Sequence, residues 1–496
     1  MIQIAVIGSG FSGLSAACFL AKEGFQVTVI EKNATAGGRA RKFEAGGFTF
    51  DMGPSWYWMP DVFEKFFGQF GKTPADYYTL ERLNPSYRIV YGKDDMMNVP
   101  ATIAGLHEMF EGLEKGSSKH LSNFLEEGKF RYEVGIQRLV YKPGLSFTEL
   151  LDPDIIKNSL RLDLFGSISS YIKKKFKAPR LVQLLEFPVL FLGARPEETP
   201  ALYSLMNYAD MALGTWYPRG GMHKVIEGLM TLAKSLGVAF EFNSTVEQLK
   251  VNSTSIEGCV VNGTFRPYDY VVASADYQHV EQHLLPPTHR IYSEAYWKKR
   301  TMAPSSLIFF LGINKKIKNL LHHTLFFDED FKKHADEIYV NPKWPTAPQF
   351  YISCTSKTDR TVAPDGHENI FILIPVAAGL EDSSAMREKY FEIVIRRLES
   401  LTGETIREHI VFRKSYAHND FIADYNAFRG NAYGLANTLL QTANLKPSIV
   451  NKKVKNLFYT GQLTVPGPGV PPALISGEVV AKELIKRHKK SLIGSV

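Results

Sequence analysis

Cysteine is scarce in this chain: Cys18, Cys259 and Cys354 stand far apart, with no C-x-x-C pair. An odd, scattered set excludes a disulfide framework and a cysteine-based metal site, and it fits a reducing compartment. Long apolar runs are missing as well. No stretch approaches the ~18 uninterrupted apolar residues that a spanning helix needs, so the chain is expected to be soluble or to lie on a membrane surface. Met1 to Ile7 carry no basic leader and run straight into a glycine motif, so no secretory signal and a cytoplasmic location are expected.

Several active-site signatures are incomplete. His279-Val280-Glu281-Gln282-His283 has the i, i+4 histidine spacing of a zinc helix, but the glutamate does not follow the first histidine. Gly71-Lys72-Thr73 imitates the end of a P-loop, yet Phe66 stands where its first glycine belongs. No metal is therefore expected. There is no internal repeat and no nucleic-acid module, so the net charge of +7 does not point to nucleic acid. The basic runs Lys173–Lys175 and Lys486–Lys490 read as solvated faces or as attraction to an anionic membrane surface.

The 496 residues are too many for one core, so two domains are expected. The 33 Phe and 23 Tyr either fill a large core or line a large apolar cavity. Gln3–Ile7 is a β-branched run suited to a strand buried on both faces, and Gly8 to Gly13 form a glycine turn. Leu14–Glu23 read as a helix stopped by Gly24, and Gln26–Ile30 as a second strand. Helical patterns dominate from about Pro100 to Trp216, including Ile156, Leu160, Leu164, Ile168 and Ile172 at spacings of four. Strands are expected at 238–242, 245–251, 270–273, 306–313, 349–353, 370–376 and 457–460, with helices at 384–401 and 475–488.

Gly8-Ser9-Gly10-Phe11-Ser12-Gly13 fits G-x-G-x-x-G. Gly8 permits the tight turn, Gly10 lets the backbone approach a pyrophosphate, and Gly13 lets helix and strand pack closely. Phosphate oxygens then face a helix N-terminus, where free N–H groups and the dipole favour negative charge. Glu31 closes the second strand, where an acid accepts a ribose hydroxyl. This unit serves NAD and FAD alike. The following Ala36-Gly37-Gly38-Arg39 adds a cationic fork for phosphate oxygens. Near the other end, Leu457–Thr460 leads through Gly461 into a loop rich in proline and glycine, and a helix starts after Pro472.

Together with Phe50–Trp56, these motifs resemble the carotenoid desaturases of the flavin amine oxidase superfamily, the bacterial-type phytoene desaturases in particular. Tyr217–Met222, Ser274–Asp276, His322–Phe327, Ser356–Asp359 and Asn431–Gly434 extend the resemblance over nearly the whole chain. One departure is Pro472, where many members carry glycine; proline suits a first helical turn. The resemblance implies an α/β fold: a Rossmann-like FAD-binding domain (1–100, 216–276 and 405–496) interleaved with an α+β substrate-binding, membrane-facing region (101–215 and 277–404). It implies FAD as cofactor, held by Gly8, Gly10, Phe11, Ser12, Gly13, Glu31, Lys32, Gly38, Arg39, Gly53, Pro54, Ser55, Val246, Gly461 and Val470, with Gly53–Ser55 beside the flavin ring.

The substrate implied is a C40 polyene, with quinone or oxygen as electron acceptor. Its C–H bonds are too weakly acidic for an ordinary side-chain base, so the cofactor carries the hard step and the protein supplies orientation and a dry channel. The expected activity is that of a phytoene desaturase, converting 15-cis-phytoene stepwise towards lycopene; the text around Gly53–Tyr57 leans that way. The alternatives are a 1'-hydroxycarotenoid 3,4-desaturase, a carotenoid isomerase, an amine oxidase and a flavin-free prenyl-binding escort protein. Many amine oxidases hold FAD through a cysteine near the C-terminus, whereas the last cysteine here is Cys354. No catalytic residue is assigned: Asp210, Arg195, His322 and His323 are candidate proton acceptors, each also readable as structural. The amphipathic 155–176 segment is expected at a membrane-facing mouth, on the inner face of the cell membrane.

Overall fold

In the computed structural model, which describes residues 1–137, 139–146, 149, 163, 166–190, 195–438 and 441–493, the strand Gln3–Ile7 sits at the centre of a sheet. The sheet is parallel, with spatial order Leu457–Tyr459, Tyr270–Ala273, Gln3–Ile7, Gln26–Ile30, Ala239–Glu241. Parallel strands of this kind are covered on both faces, which is why Ile4, Ala5 and Val6 have no exposed surface. The helix Phe11–Lys22 begins three residues earlier than expected, because Gly10 already serves as its N-cap.

That first helix packs on the last, Val470–Ile493. They approach tightly at Gly477, where a Cβ would lie 2.3 Å from the Ser12 carbonyl oxygen. Ser15 donates from Oγ to the Leu474 carbonyl at 2.7 Å. The last helix also begins early, at Val470, with Pro471 and Pro472 inside its first turn, where a missing N–H costs nothing.

A second, seven-stranded sheet has the order Ile410–Tyr416, Ser305–Ile313, Glu368–Val376, Phe350–Ser353, His323–Phe326, Tyr87–Gly92, Asp95–Val99. Its central strands are buried on both faces, and their alternate residues serve two cores. Leu307, Phe309 and Leu311 pack against Phe391, Val394 and Leu398 of the helix Ser384–Thr402. Ile308, Phe310, Tyr351 and Leu373 face the opposite way, into the core shared with the first sheet. Tyr87–Gly92 pairs in parallel with His323–Phe326, and Ile410–Tyr416 pairs with Ser305–Ile313, so both belong with the second sheet rather than the first.

A three-stranded antiparallel meander, Val246–Asn252, Ser255–Val261 and Thr264–Pro267, stands beside the first sheet. Of the expected amphipathic segment, Ile156, Leu160 and Leu164 lie outside the described residues. Its remainder forms the helix Ile168–Lys175, capped by Ser167, with Ile168 and Ile172 fully buried. No helix among the described residues is long and apolar enough to cross a membrane.

Candidate active site

The carboxyl ends of the parallel strands, where open α/β sheets bind ligands, open onto one cavity of about 2330 Å³, mouth included. The glycine turn after the first strand forms its floor. Gly8 has φ +98°, and a Cβ there would sit 3.3 Å from the Ser274 backbone. Gly13 is not a lining residue: a Cβ on it would fall 2.1 Å from the Gly8 carbonyl oxygen, so its role is helix–strand packing. Gly10 lines the cavity, and a Cβ there would meet no atom within 4 Å. It leaves a bare cradle at the first turn of the helix, where N–H groups have no partner within the helix itself.

The second turn packs onto the first. Gly37 donates its N–H to the Ser9 carbonyl at 2.9 Å, and Gly38 approaches Gly10 closely enough that a Cβ would lie 3.4 Å from its Cα. Arg39 is thereby carried to the cavity wall. One of its terminal nitrogens donates to the Asn431 carbonyl at 3.1 Å, while its Nε is shut from solvent with no partner among the described residues. A buried donor left open at a phosphate-sized cradle fits an anionic ligand. Burial pulls the guanidinium below its ordinary value, opposed by Asp276. Tyr425 lies under both Arg39 and Arg41, at 5.2 and 5.3 Å from its ring centre.

Glu31 lines the cavity, and the protein itself engages both of its oxygens. One oxygen accepts from Ser9 N at 2.9 Å and Ser9 Oγ at 2.7 Å; the other accepts from Asn33 N and Nδ2, both at 2.9 Å. It thus ties the glycine turn to the strand end, and a ribose hydroxyl there would share or displace one of these donors. Lys32 and Val246 line the same end. Lys32 donates to the Ala423 carbonyl at 2.6 Å.

The late motif closes the cavity from the other side. Gly461 has φ +112° and donates its N–H to Ser476 Oγ at 3.0 Å. Gly469 and Val470 start the last helix and bring a second helix N-terminus to the lining. Gly53, Pro54 and Ser55 lie on the wall as well. The structure therefore brings fourteen of the fifteen expected cofactor residues to one cavity, Gly13 being the exception.

Of the candidate proton acceptors, Arg195 is engaged by Asp336 at 2.9 Å and by Glu198. Asp210 is buried beneath the cavity rather than on it, accepting from Tyr87 Oη at 2.7 Å and Thr215 Oγ1 at 3.2 Å, and burial pushes its carboxyl up to about 7. His322 and His323 are also buried, but His323 contacts the lining residues Tyr351 and Trp56. Sequence reasoning missed Tyr351, Ile308 and Leu373, which reach the cavity from the second sheet, because only non-local pairing brings them there. Gln462, next to Gly461, and Tyr433, inside the Asn431–Gly434 segment, were findable from the motifs they adjoin.

A parallel sheet that brings two helix N-termini to one long cavity has the geometry of a dinucleotide-binding fold. The sequence profile of the flavin containing amine oxidoreductases matches residues 11–485. The chain is 42% identical over 485 residues to a carotenoid 3,4-desaturase of Haloarcula japonica, covering 98% of both chains. It is 32% identical over 503 residues to a 4,4'-diapophytoene desaturase (4,4'-diaponeurosporene-forming) of Staphylococcus aureus, covering 98% of this chain and 99% of that one. Among solved structures, an oxidoreductase from Methanosarcina mazei shares the fold with a TM-score of 0.63 at 15% identity, covering 97% of this chain and 100% of that one. The chain belongs to the flavin containing amine oxidoreductase family, in its carotenoid desaturase branch. It is an FAD-dependent oxidoreductase acting on CH–CH groups, not a flavin-free escort.

Proposed function

We propose that the chain is a carotenoid 3,4-desaturase that acts on a hydroxylated acyclic C40 polyene. The observation carrying this reading is the end-to-end 42% identity to the Haloarcula japonica enzyme. It moves the preference from phytoene to a later substrate, against the leaning taken from Gly53–Tyr57. The phytoene-type reading keeps one specific support, the full-length relation to the Staphylococcus aureus enzyme.

In this reading Gly8–Ser12 and Gly38–Arg39 would hold the pyrophosphate, Glu31, Lys32 and Val246 the adenosine end, and Gly53–Ser55 with the Gly461–Val470 loop the flavin ring. Bound flavin supplies a two-electron acceptor for hydride. The chain's own task is to hold a featureless polyene against it and to exclude water. Trp58, Met59, Met206, Ile308 and Leu373 supply that apolar wall. Quinone or oxygen takes the electrons onward. The fold divides functionally into a cofactor part around the first sheet and a substrate part around the second. The chain works at the cytoplasmic face of the cell membrane, with the exposed Lys173 and Lys174, beside a half-buried Lys175, turned to anionic lipid.

Expression in two hosts tests the substrate, one accumulating phytoene and one a hydroxylated acyclic carotene, with pigments separated by chromatography. Conversion of the hydroxylated carotene with phytoene untouched is the expected result. Conversion of phytoene alone would replace this reading with the phytoene-type one.

A further inference from the structure

Desaturation removes two hydrogens, and the apolar wall must let the second one out. The hydride carries both electrons of its C–H bond to the flavin, and the neighbouring carbon then gives up a proton, whose electron pair closes the new C=C bond. As the hydride leaves, that neighbouring C–H becomes strongly acidic. Its acceptor need not be a strong base, but it must be unprotonated and inside the cavity.

We propose that Ser55, Tyr351 and His323, continued by His322 and Thr358, form the route by which this proton leaves. Ser55 and Tyr351 both line the cavity, on the stretch of wall set beside the flavin ring in the function proposed above, on which this inference rests. Tyr351 Oη is 2.9 Å from Ser55 Oγ and 2.6 Å from His323 Nδ1. The His323 ring is fully buried and stacks on the Trp56 indole at 4.1 Å and 11°. The His322 ring lies 4.5 Å further on, and its Nδ1 is 2.8 Å from Thr358 Oγ1, a half-buried residue. Among the described residues, the buried Nε2 atoms of both histidines have no hydrogen-bond partner, each other included. Buried polar atoms are nearly always paired, so two orphan nitrogens on rings whose centres lie 4.5 Å apart need a reason, and a small ring turn that lets one give a proton while the other takes it supplies one.

Burial, with His322 next to it, holds His323 well below its ordinary value; burial takes His322 down to about 3, partly opposed by Asp359. Both rings are therefore neutral at physiological pH and resist a net charge, so each must give up one hydrogen as it takes another. As the substrate C–H breaks, an O–H forms on the Ser55–Tyr351 pair and the phenol hydrogen moves to His323 Nδ1. A small turn of the two rings brings their Nε2 atoms together, and His323 releases its Nε2 hydrogen to His322, whose Nδ1 hydrogen passes to Thr358 and solvent. Hydroxyl hydrogens rotate, so each oxygen can receive on one side and give on the other. Ser55 and Tyr351 are the catalytic pair, and the histidines act through Tyr351.

The test follows flavin reduction in the flavin-loaded enzyme without oxygen, in single turnovers with the hydroxylated carotene and with phytoene, alongside proton release to an indicator dye. Tyr351→Phe and His323→Gln are expected to slow reduction by about a hundredfold or more, to delay proton release with it, and to shrink the solvent deuterium effect. Flavin content and carotenoid affinity, read by flavin fluorescence, stay near wild type. Nitrogen NMR of the substrate-free protein should show the His323 Nδ1 signal moving in Tyr351→Phe. Ser55→Ala, a small truncation at a half-buried position, tests the same route should the larger changes disturb folding. Wild-type rates and isotope effects in the variants, a loss carried wholly by carotenoid affinity, or an unmoved Nδ1 signal would each overturn the relay. Wild-type flavin reduced by neither carotenoid would overturn the proposed function, and the relay with it.

Discussion

Gly10→Ala separates folding from cofactor binding. Gly10 has φ −75° and ψ 178°, a backbone that any residue adopts, and a Cβ there meets nothing within 4 Å. Without flavin the variant should therefore fold as well as wild type, or gain about 0.4–1 kcal/mol from a less free unfolded chain. The same methyl group intrudes where phosphate must reach the first-turn amides. A hydrogen bond to a charged group is worth about 1.5–3 kcal/mol, so losing one weakens FAD binding about 10- to 100-fold. Apoprotein is titrated with FAD by fluorescence and melted with and without it. Wild-type affinity in Gly10→Ala, or a lower melting temperature without flavin, would refute the reasoning. Gly477→Ala is the converse. Its Cβ would sit 2.3 Å from Ser12 O and 2.6 Å from Ser15 Cβ, and overpacking costs about 1–3 kcal/mol, so this variant should melt lower even without flavin.

Arg39→Lys keeps the charge but loses the planar fork; FAD affinity should fall about tenfold, the worth of one charge-assisted bond, in the same titration. Asp210 makes stability depend on pH. Its folded carboxyl titrates near 7 against 3.8 for the ordinary group, so the folded state binds the extra proton and stability falls as pH rises from about 4 to 7. Asp210→Asn should flatten that slope in denaturant titrations at a series of pH values; an unchanged slope would remove Asp210 as its source. Changing Lys173, Lys174 and Lys175 to glutamate should release the protein from anionic vesicles in a flotation assay, and unchanged binding would end the assignment of that face to lipid.

What the sequence disclosed was what local spacing encodes. Gln3–Ile7, the glycine turn and Gln26–Ile30 form one continuous βαβ stretch, and the structure has both strands at the expected residues. Helix starts were less readable, because Gly10 and Val470 begin helices at residues that also read as turn. The second sheet shows the limit. Ser305–Ile313 was visible as an apolar run, yet its two faces serve different cores, and uniform burial removes the polar alternation that would tell them apart. The pairing of Tyr87–Gly92 with His323–Phe326 spans more than two hundred residues and leaves no local mark. For that reason the phosphate side of the site was legible and the substrate wall, with Tyr351 in it, was not.

The order of strands in the first sheet also sets a timetable. A chain made from its N-terminus has the glycine turn after a dozen residues, yet Tyr270–Ala273 must follow before the central strand has both neighbours, and Leu457–Tyr459 before the sheet is complete. The helix that covers Phe11–Lys22 through Gly477 is translated later still. During synthesis the phosphate cradle therefore waits as an unfinished surface with its apolar helix uncovered. The complete cradle, with both helix N-termini, forms only once the Val470–Ile493 segment has been made.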